Sequence, residues 1–192
     1  MSHEKTTQVL VTGFAPWAAH ERNPSTDVAR AMHGMQLGNV CFQAHAPLPV
    51  EFVNAASLAL EDARAIGAGA ILALGLAAKT DYIRVERRGH NLCTTTEPDA
   101  KGRVLTNQSL VATAPATLDT NFDVDEIVAT LKAHDLDARV SDDAGGYVCN
   151  DLYFRLLAGA RLPTLFIHLP AHAHALKTLP TALATALATL LR

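Results

Sequence analysis

Residues 140–157 read VSDDAGGYVCNDLYFRLL, and the rest of the chain is read outward from them. Val140 and Ser141 form the tip of a strand, and Asp142 to Gly146 make a Gly-containing turn. From Tyr147 onward the apolar residues Val148, Leu152 and Leu156 recur at i, i+4, i+8, the spacing of a helix face. Cys149 therefore falls in the first turn of a helix that follows a strand. The unpaired N–H groups and the positive dipole end favour an anion at such a place. A thiol there is expected to have a lowered pKa and to react as the thiolate, and the same N–H groups can hold an oxyanion during acyl transfer. The competing reading is a small buried core residue, the common fate of a free cysteine.

On either side the chain alternates strands and helices. QVLVT (8–12), ended by Gly13, reads as a buried first strand. Asn23-Pro24 supplies an N-cap and a first-turn proline for a helix over 24–33. A second strand spans 40–45. A long helix over 50–66 carries Val53, Leu58, Leu60 and Ala63 among its apolar positions and closes at Gly67. AILALGL (70–76) has the continuous apolar character of a strand covered on both faces. YIRVERR (82–88) alternates and reads as one strand with a single core face, after which 91–107 is a polar surface excursion. A helix over 124–134, a last strand TLFIH (164–168) and a final helix over 176–191 complete the pattern. The expectation is an α/β chain, a three-layer α/β/α domain with a mostly parallel, mixed central sheet. One domain over 1–192 is expected, with 1–7 a frayed tail.

Net charge is −3 with no basic run, so neither nucleic acid nor an anionic membrane surface is expected as a partner. MSHEKTTQ lacks the apolar stretch of a secretory signal, and the 176–191 segment, broken by Pro180, is too short to span a bilayer. Cys41, Cys93 and Cys149 are odd in number and share no CxxC spacing, which argues for free thiols in a reducing, cytoplasmic compartment. Cys41 reads as core and Cys93 as exposed and prone to oxidation.

In a sheet of this kind function gathers at the carboxyl ends of strands. Cys149 follows one strand, His168 ends another, and Glu86 sits in the strand after AILALGL. A nucleophile, a base and a carboxylate that orients the base are the parts of a thiol acyl-transfer site. Each also has a plainer reading: His168 as a satisfied structural histidine, Glu86 as a solvated ion-pair partner of Arg84 or Arg87. The run HLPAHAHA places His168, His172 and His174 close together, but without accompanying carboxylate or cysteine ligands, so no metal is expected.

These residues carry a resemblance to the pyroglutamyl peptidase I family of cysteine peptidases. VLVTGFAPW followed by NPS resembles the family's opening strand, loop and helix start. GLAAKTDYIRVERRGHN (75–91) is similar to the segment holding its Glu-Arg pair, VSDDAGGYVCN to its nucleophile motif, and FIHLP to the strand that delivers its histidine. The resemblance implies Cys149 as nucleophile, His168 as general base and then acid, and Glu86 as third member, with no cofactor. It implies Phe14, Trp17, Asn23, Tyr147 and Val148 as the substrate-binding set, Trp17 standing where the family usually has Phe. The implied substrate is a peptide with N-terminal pyroglutamate, and a homo-oligomer is the implied assembly. Flat apolar walls suit the neutral lactam ring, whereas a free α-ammonium pays for its desolvation if no carboxylate lies near. The alternative is a catalytically silent or substrate-shifted relative that binds a small N-blocked or cyclic acyl ligand, or a protein partner, through the same pocket. Lys79 in place of the usual Arg, and APATLDTNF (114–122) in place of an aromatic-rich run, are departures from the family pattern.

Overall fold

The computed structural model describes residues 6–18 and 20–191. Within them, β1 (Thr7–Thr12) pairs in parallel with β3 (Val40–Ala44) on one side and β4 (Ala70–Leu76) on the other. The short β2 (Gln36–Leu37) edges β3 in antiparallel fashion. On the far side β4 pairs in parallel with β9 (Thr164–Leu169). Next comes β5 (Ile83–Glu86), antiparallel to β9 and parallel to the edge strand β8 (Ala138–Ser141). A separate two-stranded ribbon joins β6 (Arg88–His90) to β7 (Thr117–Asp119).

Side chains alternate across the sheet with period two. Leu10, Ile71, Ala73 and Phe166 face a core shared with α2 (Asn54–Ala65) and α4 (Val148–Gly159). Val9, Val11, Leu72, Leu74, Val85 and Ile167 face α1 (Pro24–Met32), α3 (Val124–Ala133) and α5 (Leu179–Leu190). The three-layer, mostly parallel mixed architecture follows, and AILALGL is covered on both sides as its composition requires. No helix among the described residues is long and apolar enough to cross a membrane.

Several local expectations are corrected. The helix expected from residue 50 begins at Asn54, because Val53 takes a left-handed backbone (φ 69°) and stands outside it. Its buried stripe is Ala55, Ala56, Ala59 and Ala63, and small side chains let α2 sit close to its neighbours; Val53 and Leu58 are 42% and 36% exposed. YIRVERR is two strands: the chain leaves the main sheet at Arg87 and enters the ribbon at Arg88. The last helix starts at Leu179, with Pro180 in its first turn, and a short 3-10 turn over Ala173–Ala175 precedes it. The expected tail at 1–7 lies outside the described residues up to 5, whereas Thr7 already pairs with Val40. The reading of Cys93 reverses, and that of Cys41 is weakened. Cys93 is fully buried, since the excursion folds back over α4 and its backbone pairs with Gln108, while Cys41 is half-buried.

Candidate active site

The turn expected before Cys149 is built by glycine: a Cβ at Gly146 would stand 2.6 Å from the Thr94 carbonyl oxygen. Tyr147, in extended backbone, is the N-cap of α4 and makes no side-chain cap hydrogen bond. The first N–H groups of α4 are thus not claimed by a capping side chain. Asn150, fully buried one residue past Cys149, accepts from His90 N–H at 2.8 Å and donates to the carbonyls of His90 and Leu92. This ties the helix start to the ribbon and the excursion.

His168 and Glu86 meet on the sheet face beneath α4. Arg84 pairs in register with His168 and Glu86 with Phe166, so these side chains share one face, and Glu86 reaches His168 diagonally. His168 Nδ1 lies 2.8 Å from Glu86 Oε1; Glu86 is fully buried and His168 is 5% exposed. Because β5 runs against β9, Glu86 comes in across the sheet face, not from a shared carboxyl edge as the sequence pattern suggested. Arg84 Nε stands 3.3 Å from the same Oε1, and its guanidinium also donates to Ser141 Oγ at 2.9 Å and to the Asp143 carbonyl. Glu86 is therefore an ion-pair partner of Arg84 and a partner of His168 together, and it is not solvated. Tyr153 hydroxyl donates to the Glu86 carbonyl at 2.9 Å, fixing the strand beneath the helix.

Cys149 Sγ lies over Gly75, the register partner of His168; a Cβ on Gly75 would stand 3.1 Å from the sulfur. Burial first, and the Glu86 carboxylate second, push the Cys149 thiol up to about 12, against a smaller pull from Arg84. This corrects the expected lowering. Cys149 keeps some surface open to solvent, yet the protein packed around its sulfur disfavours a charge there. The thiol rests protonated. Cys93 is likewise raised, to about 11, chiefly by burial.

A cavity of about 400 Å³ opens beside the sulfur. Phe14, Trp17, Asn23, Tyr147 and Val148, the whole expected binding set, line it together with Cys149. Phe14 and Val148 are buried floor, and Tyr147 hydroxyl donates to the Pro98 carbonyl at 2.7 Å. Asn23 is engaged as the N-cap of α1: its Oδ1 accepts from Ser25 N–H at 3.1 Å and from Ser25 Oγ at 2.7 Å. Sequence reasoning missed Arg84, Asn150, His20 and Glu97, the last two also lining the cavity. For Arg84 its place two residues from Glu86 in a strand was a usable signal; the others depend on how the loops close. His174 Nδ1 lies 3.1 Å from the Ala171 carbonyl. Among the described residues no three His, Cys, Asp or Glu side chains are grouped to hold a metal ion.

A cysteine at a helix start, beside an imidazole held by a buried carboxylate on a three-layer α/β fold, defines the class of cysteine-type hydrolases. The comparisons narrow it. The family model described as pyroglutamyl peptidase matches residues 7–182, and the chain belongs to that family. It is 34% identical over 162 residues to a pyrrolidone-carboxylate peptidase of Chromobacterium violaceum, covering 84% of this chain and 77% of that one. It is 31% identical over 171 residues to one of Deinococcus radiodurans, covering 86% and 78%. The crystal structure of pyroglutamyl peptidase I from Bacillus amyloliquefaciens superposes with a TM-score of 0.89 at 25% identity, over 96% of this chain and 94% of that one.

Proposed function

We propose that this chain hydrolyses N-terminal pyroglutamate from peptides, with Cys149 as nucleophile, His168 as base and then acid, and Glu86 as the group that orients and stabilises the imidazolium. The observation that carries the reading is the buried 2.8 Å contact of Glu86 with His168 beside a cysteine that opens onto an aromatic-walled cavity. The pyrrolidone ring lies between Phe14, Trp17 and Tyr147. His168 Nε2 takes the thiol proton as sulfur attacks the acyl carbon, so no stable thiolate is needed beforehand. Glu86 accepts from Nδ1–H and so sets the tautomer that leaves Nε2 free as base. The developing oxyanion rests on the N–H groups at the start of α4. His168 then gives its proton to the departing amine, and water, deprotonated by His168, releases pyroglutamate and restores the thiol. Three free cysteines support a reducing, cytoplasmic setting.

The test is hydrolysis of a pyroglutamyl-chromophore amide by wild type and Cys149→Ala. Turnover in the wild type alone is expected. Turnover retained by the variant would remove Cys149 as nucleophile, and none in either would point to the silent relative.

A further inference from the structure

The Glu86 carboxylate is fully buried, and its second oxygen, Oε2, has no hydrogen-bond partner among the described residues. A buried ion without a counter-charge gives up its own charge by taking a proton. Among the described residues two cationic groups stand within ion-pair reach of Glu86, the Arg84 guanidinium and the His168 imidazole, both at Oε1. His168 must be neutral before the reaction if its Nε2 is to act as base. The standing counter-charge therefore falls to Arg84. The other titratable groups around the pair do not provide it. Cys149 and Tyr153 of α4, and Cys93 of the excursion, are held protonated chiefly by burial. Asp119 of β7 pairs with Arg88, Asp142 pairs with Arg87, and Asp143 accepts from Gly145 N–H. On β9 the Phe166 ring packs against the imidazole, 4.8 Å away by centroids, and adds no charge. The sheet places Arg84 for this task, on the same face as Glu86 and directly opposite His168 in register.

We infer that Arg84 is a positioning residue for the hydrolysis: its guanidinium keeps Glu86 ionised, and through Glu86 it keeps the His168 imidazole oriented and free to act as base. The inference rests on the catalytic reading above. With Arg84 in place, the set of ionised Glu86, neutral His168 and Cys149 thiol has no net charge. Without Arg84 the same set is a buried anion, and it is relieved by taking up one proton. On Glu86 that proton removes the carboxylate that stabilises the imidazolium. On His168 it occupies the base. Either way the thiol proton has no acceptor backed by a carboxylate, and turnover falls. Raising the pH strips the extra proton, so the loss is deepest near neutral pH. Arg84 also donates to Ser141 Oγ and the Asp143 carbonyl, in the turn before Cys149. A role confined to tethering that turn would depend neither on pH nor on the charge of residue 84.

The experiment measures kcat/KM on a pyroglutamyl-chromophore amide, from about pH 6 to 9, for wild type, Arg84→Lys, Arg84→Gln, Glu86→Gln and the double variant Arg84→Gln/Glu86→Gln. Alkylation of Cys149 by iodoacetamide, followed by mass mapping, reads the same dyad without a substrate. Arg84→Gln keeps a hydrogen-bonding side chain but no charge. It should lose about a hundredfold in kcat/KM near pH 7, the low end of what a general base contributes, and recover as the pH rises. Arg84→Lys should regain about tenfold or more of that loss. The double variant should be no slower than Glu86→Gln, because Arg84 acts through the carboxylate. It leaves no anion unpaired, so it decides the matter even where Arg84→Gln alone does not fold. Undiminished turnover in Arg84→Gln overturns the inference and spares the peptidase reading. So does a loss that is equal at every pH or shared alike by Arg84→Lys, or a double variant slower than Glu86→Gln. If wild type leaves the amide uncleaved, the peptidase reading falls and the alkylation rates decide alone. A rate lowered in Arg84→Gln and restored in Arg84→Lys then supports the role of Arg84, and equal rates overturn it.

Discussion

Gly75→Ala tests how closely the nucleophile, its base and the sheet are fitted together. A Cβ at this position would stand 2.7 Å from Phe166 Cζ and 3.1 Å from Cys149 Sγ. Carbon–carbon contacts are most favourable at roughly 3.5–4.0 Å, so the Phe166 ring must retreat by about 0.8 Å. It has little room, being fully buried, 5.5 Å from the Tyr153 ring and 4.8 Å from the His168 ring by centroids. Overpacking of this kind costs about 1–3 kcal/mol. In a domain of this size each kcal/mol lowers Tm by roughly 2–4 °C, which gives a fall of about 2–12 °C. A displaced ring crowds His168, and the new methyl crowds the sulfur. A misplacement of about 1 Å can cost ~10²-fold in rate, so kcat/KM on a pyroglutamyl amide should drop toward that figure. Thermal unfolding by circular dichroism and steady-state kinetics read the two effects separately. An Ala variant with wild-type Tm and wild-type kcat/KM would refute the close fit. A lowered Tm with full activity would refute the claim that Gly75 sets the place of the sulfur.

Three further outcomes are expected. Glu86→Gln should fold but lose turnover by ~10²–10⁴-fold, because an amide no longer stabilises the imidazolium of His168; undiminished turnover would reduce Glu86 to an ion-pair partner of Arg84. Burial and the Glu86 carboxylate raise the Cys149 thiol from 9.0 to about 12, so above pH 9 the unfolded chain releases a proton that the folded chain keeps. Stability should therefore be complete below pH 9 and decline toward pH 12, and urea midpoints at rising pH should fall less steeply in Cys149→Ala; equal slopes would count against the raised thiol. Trp17→Phe should raise kcat/KM for pyroglutamyl amides by relieving a narrowed wall and Trp17→Ala should lower it, while a Phe variant worse than wild type would mean the indole belongs to a pocket shaped for another ligand.

What the sequence discloses is what short-range pattern determines. The i, i+4 spacing after the Gly-Gly turn places Cys149 at a helix start because helix and turn are settled within a few residues. AILALGL and TLFIH announce covered strands because continuous apolar runs fit nothing else as well. The direction of β5 was not legible, since it depends on which strand it meets, and its contact with His168 closes over 82 residues. For the same reason Arg84, which reaches Ser141 across 57 residues, looked like a surface charge. Cys93 lies in a polar run, LCTTT, and is buried because that run folds back over α4, held by Asn150 and by backbone pairing with Gln108. The expected lowering of the Cys149 pKa used the helix start alone, whereas the surroundings of the sulfur come from the sheet and the excursion.

The antiparallel pairing of β5 with β9 has a consequence for how activity is acquired during folding. Arg84, Glu86, Phe166 and His168 lie on one face only in the observed register. A slip of one residue would carry Glu86 to the opposite side, under α3, and bring Val85 beneath the nucleophile. Such a chain would keep its helices and most of its sheet and have no working dyad. The pairing also closes one of the longer loops in the molecule, so it is entropically among the last to form. A refolding chain should regain far-ultraviolet signal before it regains turnover, and the interval between the two reports the search for register.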